Sequence, residues 1–266
     1  MSEKQVYMAL PYFGGKGSHG PLAQWIREII GNRTDQTWVE PFAGFLGVML
    51  VGAQSKQEVA NDISNHIVTW WKHVRDNTDE FLFKLYFTPR SEVILKESAA
   101  LLKGGGDGSI DHALAVHAYL CLGFNRSLEE AEGTFCLKRD PKEVMKKRIR
   151  CEAIPRLAAR IQNLIILNRD ALDVIRFFQP RDDAMIYCDP PYRGATGFGK
   201  LQDFNRDRMG ELLLQCKGRV AISGYGDTWD HLGFDRHEFS SYTSHLSKRT
   251  EILWTNFDKP QLDMFA

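Results

Sequence analysis

Short runs of β-branched and aromatic residues alternate with stretches of helical length along most of this 266-residue chain. Runs of this kind between turn residues predict β-strands. Seven can be identified: Thr37–Val39, Glu58–Ala60, Leu164–Leu167, Ala184–Cys188, Arg219–Ile222, His237–Tyr242 and Glu251–Asn256. Alternation of strands with helices predicts an α/β fold with a mostly parallel sheet covered on both faces. Only Ser244–Thr250 joins the last two strands, which favours an antiparallel pair at one edge.

The alternation is interrupted between about Asp76 and Asn163, where helical patterns occur without a convincing parallel strand. Ala113–Leu122 is one apolar helical stretch, and the glycine-rich segment Lys103–Ser109 predicts a flexible loop. We therefore predict an insert of mostly helical character. The predicted organisation is a discontinuous catalytic domain at 1–75 and 164–258, an insert at 76–163 and a tail at 259–266.

The net charge is zero, with 34 basic and 34 acidic residues, which excludes a uniformly basic nucleic-acid binder. The charge is nevertheless uneven, because one segment of the predicted insert has a local charge of +5. Its basic residues are Lys138, Arg139, Lys142, Lys146, Lys147, Arg148 and Arg150. Such a run is usually a solvated helix face, but its place inside an insert favours contact with nucleic acid.

The five cysteines form no CxxC pair and their number is odd, which favours reduced thiols in a cytoplasmic protein. The same spacing makes a zinc site unexpected, and we expect no metal and interpret all eight histidines as structural or surface residues. No window approaches the roughly 20 apolar residues of a membrane span, and no signal peptide is visible. We therefore expect no contact with a membrane.

The tetrapeptide Asp189-Pro190-Pro191-Tyr192 directly follows the predicted strand Ala184–Cys188. Ligands of open parallel sheets bind beyond the carboxyl ends of the strands, so these residues stand where chemistry is expected. The prolines remove two amide donors but keep their carbonyl acceptors, the aspartate adds a carboxylate, and the tyrosine offers a stacking surface. This acceptor-rich pocket suits a planar substrate with an exocyclic amine, such as a nucleobase.

A second group of residues surrounds the first two predicted strands. In Trp38–Gly47 a strand runs into a glycine turn and then a helix, and Asp62 ends the following strand. A carboxylate at that position can hold a ribose diol, so the order of these residues indicates a nucleoside cofactor. The stretch is neither a P-loop nor GxGxxG. Near the N-terminus, Tyr12–Gly17 forms a glycine-rich loop with Lys16, which suits a carboxylate or phosphate ligand.

In this order, the motifs YFGGK (12–16), VEPFAG (39–44), NDI (61–63), LNRD (167–170) and DPPY (189–192) resemble those of Dam-like DNA adenine methyltransferases. The resemblance is to the class whose target-recognition insert lies between the cofactor motif and DPPY. Later segments, SGY and RTEILWTNF, are similar to strands of phage-encoded members. The resemblance implies a Rossmann-like methyltransferase sheet and S-adenosylmethionine as cofactor. The cofactor residues implied are Tyr12, Gly14, Lys16, Glu40, Phe42, Gly44, Asp62, Asp170 and Asp189.

The reaction implied by the resemblance is methylation of the adenine 6-amino group in duplex DNA. Asp189 and the Pro190 carbonyl would accept the hydrogens of the amine, Pro191 completes the motif, and Tyr192 would stack on the flipped base. Positioning would supply most of the catalysis. The implied location is the cytoplasm, either on the bacterial nucleoid or in a phage-infected host.

The insert departs from the usual pattern of the family. Asn125 and Arg126 match the start of its recognition motif and are expected to contact DNA, but the RYN element that should follow is missing. Recognition of GATC is therefore not implied. Two alternatives stay open: methylation of another amine, such as the cytosine 4-amino group or an RNA base, and a catalytically idle DNA- or clamp-binding module. Asp189 argues against cytosine, and the intact motifs argue against an idle protein.

The C-terminal residues Gln261, Leu262, Met264 and Phe265 lie in a segment, QLDMFA, that resembles the peptide with which bacterial proteins bind the replicative sliding clamp. The other interpretation is an ordinary tail whose apolar end folds back on the body. The resemblance adds a sliding clamp to double-stranded DNA as a predicted partner.

Overall fold

The structure of this chain, a computed structural model, describes residues 20–123, 128, 131–132, 153–191, 205–242 and 248–258. In that part, seven strands form a single sheet. The strands are β1 (Thr37–Glu40), β2 (Gln57–Asn61), β3 (Ile165–Leu167), β4 (Ala184–Cys188), β5 (Arg219–Gly224), β6 (Asp235–Tyr242) and β7 (Lys248–Thr255). Their order in the sheet is β3-β2-β1-β4-β5-β7-β6.

The pairing confirms the predicted α/β fold and the predicted antiparallel pair. Strands β3, β2, β1, β4 and β5 are all parallel, whereas β7 runs antiparallel to both β5 and β6. The β6–β7 pair extends from Asp235 opposite Thr255 to Tyr242 opposite Lys248. This mixed sheet with one reversed strand is the Rossmann-like methyltransferase sheet that the sequence predicts. Except for β7, each observed strand begins within two residues of the predicted start. The reversed strand begins three residues earlier than predicted, at Lys248.

Helices precede and connect the strands: α1 (Pro21–Ile30), α2 (Asn65–Asp76), α3 (Thr78–Phe87), α4 (Glu92–Lys103), α5 (Ile110–Leu122), α6 (Ala171–Phe178) and α7 (Arg206–Leu214). Residues 153–160 are also helical. Proline opens α1, where its missing N–H is not needed. None of the described helices is both long and apolar enough to cross a membrane.

Two apolar cores cover the two faces of the sheet. The larger core joins side chains of β1, β4 and β5 to helices α1 to α5, and Trp38, Trp70 and Trp71 are its bulkiest members. The second core packs the opposite face of the same strands against α6 and α7, with Trp254 at its centre. Because successive residues of a strand point to opposite faces, the central strands β1, β4 and β5 are buried on both sides. That burial holds the carboxyl ends of the parallel strands in fixed positions.

The helices of the predicted insert share the larger core with the sheet. Phe81 of α3 and Tyr119 of α5 are fully buried in the same cluster as Trp38 of β1. The segment predicted as a flexible loop contains Gly108, whose amide donates to the His112 ring at 3.1 Å. His112 in turn lies 2.7 Å from the His66 ring of α2. These contacts pack the described part of the insert against α2; the domain boundaries remain a prediction.

Candidate active site

Four acidic residues stand at the carboxyl ends of four adjacent parallel strands. Glu40 is the last residue of β1, Asp62 follows β2, Asp170 stands three residues after β3, and Asp189 follows β4. Because parallel strands end at one edge of a sheet, the fold brings together side chains that are up to 149 positions apart in the chain. The sequence-based prediction placed its ligand site at this edge.

The turn after β1 is built around Gly44, whose φ of +47° lies in the left-handed region. Its amide donates to Oδ2 of Asp62 at 2.9 Å, and its carbonyl accepts from Nε1 of Trp71 at 2.8 Å. Leu46 also has a left-handed backbone, with a φ of +56°, although it carries a side chain. Leu46 is fully buried, so packing offsets the strain of a position where glycine would be relaxed.

The Asp62 carboxylate is half-buried and has each oxygen engaged by a backbone amide. Oδ2 accepts from Gly44, and Oδ1 accepts from the Ser64 amide at 2.9 Å. These bonds fix the orientation of the carboxylate. An ionised carboxylate offers about four lone-pair sites, so one carboxylate can accept from hydroxyl groups of a ligand as well as from backbone amides.

Glu40 is almost completely buried, with 2% of its surface exposed. Nε1 of Trp38 donates to its Oε1 at 3.0 Å. The pKa of Glu40 is raised to about 8, mainly by burial and to a smaller extent by the nearby Asp189 carboxylate, although Trp38 and Arg27 act in the opposite direction. At neutral pH this carboxyl group therefore holds a proton to a large extent. A cation placed beside it would stabilise the ionised form.

The residues that follow β4 are held by a hydrogen bond from the first residue of α7. Asp189 is half-buried and Pro190 is buried, while the Pro191 carbonyl accepts from the Arg206 guanidinium at 2.6 Å. Beneath them, the Tyr187 hydroxyl lies 2.8 Å from that of Ser223 in β5. Burial, with the Asp189 charge as a second cause, raises the pKa of Tyr187 well above its usual value, so this phenol stays neutral.

The remaining described residues of the predicted site occupy its two sides. Asp170 is exposed and caps α6, since its Oδ1 accepts from the Leu172 amide at 2.7 Å. Phe42 is half-buried and packs against the second core. Asn168 donates to the carbonyls of Asp62 and Ile63 at 2.8 and 3.1 Å. Asp170 thus has a capping role that its motif did not indicate.

The other predicted site residues lie outside the described residues. They are Tyr12, Gly14, Lys16, Tyr192, Asn125, Arg126, the seven basic residues of 138–150 and the tail residues Gln261, Leu262, Met264 and Phe265. Among the residues that are described, no group of three or more His, Cys, Asp or Glu could hold a metal ion.

Sequence reasoning missed the side chains that hold the site together. Asn61, Trp71 and Asn168 each bridge two segments at this edge. The one sequence signal is the asparagine at the end of the predicted second strand. An amide that a strand buries needs hydrogen-bond partners, and Asn61 is fully buried. Trp71 has the pattern of an ordinary core residue.

Comparison with known proteins gives one family and two remote structures. The model of the family described as D12 class N6 adenine-specific DNA methyltransferase matches residues 12–97, about a third of the chain. This stretch contains the first three motifs of the site. No curated protein sequence matches the chain.

Two solved structures are similar over almost the full length. Precorrin 8W decarboxylase of Methanobacterium thermoautotrophicum has 10% identity and a TM-score of 0.39, with 96% of this chain and 98% of that chain covered. A Pyrococcus horikoshii protein proposed to be an RNA methyltransferase has 9% identity and a TM-score of 0.35, with 99% of both chains covered. Both likenesses are too remote to bear on function.

Proposed function

We propose that this chain methylates the 6-amino group of adenine in duplex DNA after flipping the base out. The match of residues 12–97 to the D12 class of N6 adenine-specific DNA methyltransferases supports a Dam-like adenine-specific enzyme. The observation that carries the proposal is the shared sheet edge. There the Asp62 carboxylate, fixed by Gly44, stands at the end of β2, two strands from Asp189 at the end of β4. One end of this edge suits a nucleoside cofactor and the other suits an amine.

The donor set fits S-adenosylmethionine, which supplies a methyl group on a positively charged sulfur when it is bound. The Asp62 carboxylate, held in place by the amides of Gly44 and Ser64, would accept from the ribose diol. Glu40 is a buried acid that accepts a hydrogen bond from Nε1 of Trp38, and a cationic ligand would favour its ionised form. We assign Tyr12, Gly14, Lys16, Phe42 and Asp170 to the same cofactor site.

At the other end, Asp189 would accept one hydrogen of the adenine amine and the Pro190 carbonyl the other. These bonds favour a tetrahedral nitrogen whose lone pair is less delocalised into the ring. Bound S-adenosylmethionine would supply the methyl group, and Asp189 would take up the surplus proton of the nitrogen and release it to water. The hydrogen bond from Arg206 to the Pro191 carbonyl would help to hold this segment in place, so orientation would supply most of the rate.

Base flipping is part of the proposal because a stacked and paired adenine does not expose its 6-amino group to an acceptor pocket inside a protein. We assign the stacking surface to Tyr192. Contacts with the duplex are assigned to Asn125, Arg126 and the basic segment 138–150, whose local charge of +5 suits phosphates.

Transfer of labelled methyl groups to oligonucleotides tests the proposed function. The purified chain is incubated with S-adenosylmethionine and random-sequence duplexes, and labelled nucleosides are separated after digestion. The proposal expects N6-methyladenine. Label on cytosine, label on RNA only, or binding of DNA without any transfer would each replace it with one of the alternatives. Sequencing the methylated products then gives the recognition site.

We propose that the tail binds a bacterial sliding clamp, which would raise the concentration of the enzyme on newly made DNA. The support is the sequence QLDMF, in which Leu262, Met264 and Phe265 would fill an apolar groove. Calorimetric titration of a clamp with the full chain and with a chain ending at Lys259 tests this partner. Equal binding by both chains, or binding by neither, would reject it.

A further inference from the structure

Three chain segments meet at Asn61, the last residue of β2. Its Nδ2 donates to the Pro41 carbonyl at 2.9 Å and to the Arg169 carbonyl at 3.0 Å. Its Oδ1 accepts from the Arg169 amide at 2.9 Å, and its backbone carbonyl accepts from the Ala43 amide at 2.8 Å. One residue thus connects the turn after β1, the end of β2 and the turn after β3.

An asparagine side chain suits this junction because it combines two donors with an acceptor. Both N–H groups are used on carbonyls, and the oxygen is used on an amide. Asn61 is completely buried, so its side-chain amide cannot exchange these bonds for bonds to bulk water. An apolar replacement would leave the side-chain bonds to Pro41 and Arg169 unmade, and an aspartate would set a carboxylate against two carbonyls.

The segments that Asn61 joins carry the proposed cofactor residues. The turn after β1 holds Gly44, Asp62 is the next residue of the chain, and Asp170 follows Arg169 directly. Gly44 and Asp62 are bonded to each other, but the side-chain bonds between β2 and the turn that holds Asp170 come from Asn61 and Asn168. The position of Asp170 relative to Asp62 therefore depends on these two amides.

We propose that Asn61 is a positioning residue that sets the distance between Asp62, assigned to the ribose, and Asp170 on the other side of the cofactor site. This inference rests on the proposed function of that edge. Asn61 touches no reacting atom, so its loss should weaken cofactor affinity and leave the methyl-transfer step largely intact once the cofactor is saturating.

The test compares Asn61→Ala with Asn256→Ala in the full chain. Asn256 makes the same kind of bridge at another place: its Nδ2 donates to the Gly218 carbonyl at 3.0 Å, and its Oδ1 accepts from the Val220 amide at 2.7 Å. Those residues lie at the beginning of β5, at the opposite edge of the sheet from Asp62. Asn256→Ala therefore also removes a side-chain bridge between backbone segments, but away from the cofactor site.

Three quantities are measured for each variant: the Kd for S-adenosylhomocysteine by calorimetry, kcat at saturating S-adenosylmethionine, and the melting temperature. We expect Asn61→Ala to raise the Kd by about tenfold or more, since it breaks several buried hydrogen bonds, with kcat within about threefold of wild type. Asn256→Ala should leave the Kd within about threefold. An unchanged Kd in Asn61→Ala, or equal rises in both variants, would overturn the proposal.

A second variant covers the case in which Asn61→Ala does not fold. Asn168 is exposed and makes the neighbouring bridge to Asp62 and Ile63, so Asn168→Ala should fold and should also raise the Kd. An unchanged Kd there would reject positioning by these amides. Failure of the proposed function looks different, because the wild-type chain itself would then bind no S-adenosylhomocysteine.

Discussion

The amide of Gly44 donates a 2.9 Å hydrogen bond to the carboxylate of Asp62, and so joins the turn after β1 to the end of β2. The same carboxylate accepts from the Ser64 amide at the start of α2. Asp62 is therefore oriented by the backbone before any ligand arrives. In the proposed function this carboxylate also accepts from the ribose hydroxyls, so one side chain both shapes the turn and binds the ligand.

Replacing Asp62 should weaken cofactor binding more than it slows chemistry. Asp62→Ala removes the acceptor for the ribose diol and both amide bonds, and we expect the Kd for S-adenosylmethionine to rise by about 10- to 100-fold. Asp62→Asn is the matched control, because it keeps the size but turns one acceptor into a donor that faces an amide. It should also bind weakly, and calorimetry measures both. Normal affinity in Asp62→Asn would show that shape alone is sufficient.

Asp189→Ala should abolish methyl transfer while DNA binding stays largely intact. The carboxylate is assigned to the reacting amine, whereas affinity for duplex DNA comes mostly from phosphate contacts. Single-turnover transfer of labelled methyl groups measures the chemistry, and a gel-shift titration measures DNA affinity. Arg206→Ala, which removes the 2.6 Å bond to the Pro191 carbonyl, should lower the rate less. A rate above about a tenth of wild type in Asp189→Ala would contradict the proposed role.

The central strands were predictable from the sequence because they are buried on both faces and so appear as continuous apolar runs such as Ala184–Cys188. The acidic residues at the sheet edge were predictable because each stands within three residues of the end of a predicted strand. Asn61 was not, because its partners Pro41 and Arg169 lie 20 and 108 positions away, and only the folded sheet brings them together. The left-handed backbone of Leu46 was also invisible, since a leucine gives no turn signal.

Charge reversal in the basic segment should weaken binding to all DNA sequences alike. If Lys146 and Lys147 contact phosphates, Lys146→Glu with Lys147→Glu should reduce the slope of log affinity against log salt by about one unit for each lost contact. Fluorescence anisotropy between about 50 and 200 mM salt measures the slope. Charge reversal of Lys96, which pairs with Glu92 on the exposed face of α4, is the control. An unchanged slope in the double variant would place the segment away from DNA.

A buried ion pair links β2 to the helical residues 153–160. The Arg160 guanidinium donates to both carboxylate oxygens of Glu58 at 2.5 and 2.7 Å, and the two side chains are only 8% and 4% exposed. Arg160→Met should lower the free energy of unfolding by about 3–5 kcal/mol, because it leaves a buried carboxylate without its partner. Adding Glu58→Gln should restore much of the loss. Urea denaturation measures each step.

The control for the ion pair is Arg176→Met, since Arg176 pairs with Asp173 on the surface, where the side chains are 51% and 63% exposed. That variant should cost less than about 1 kcal/mol. Equal losses from Arg160→Met and Arg176→Met would contradict the expected difference between a buried and an exposed pair.

Glu40 should make stability fall as the pH rises from about 4.5 to about 8. Burial raises the pKa of Glu40 from 4.5 to about 8, so the folded protein holds a proton that the unfolded chain releases over this range. The contribution is complete below pH 4.5 and is lost through pH 8, and its upper limit is about 5 kcal/mol. Glu40→Gln removes this titration, so the difference in unfolding free energy between wild type and variant should change with pH.

The comparison isolates Glu40 from other groups that titrate in the same range. Burial lowers the pKa of His112 to about 4, which makes stability fall as the pH drops from 6.5 to 4, but this effect is common to both proteins and cancels in the difference. The charged groups that act on Glu40 are Arg27, Glu58 and Asp189, and all three are retained. Urea denaturation at half-unit pH steps gives the difference curve. A flat curve between pH 4.5 and 8 would show that Glu40 is ionised in the folded protein, and that a cationic cofactor has no proton to displace there.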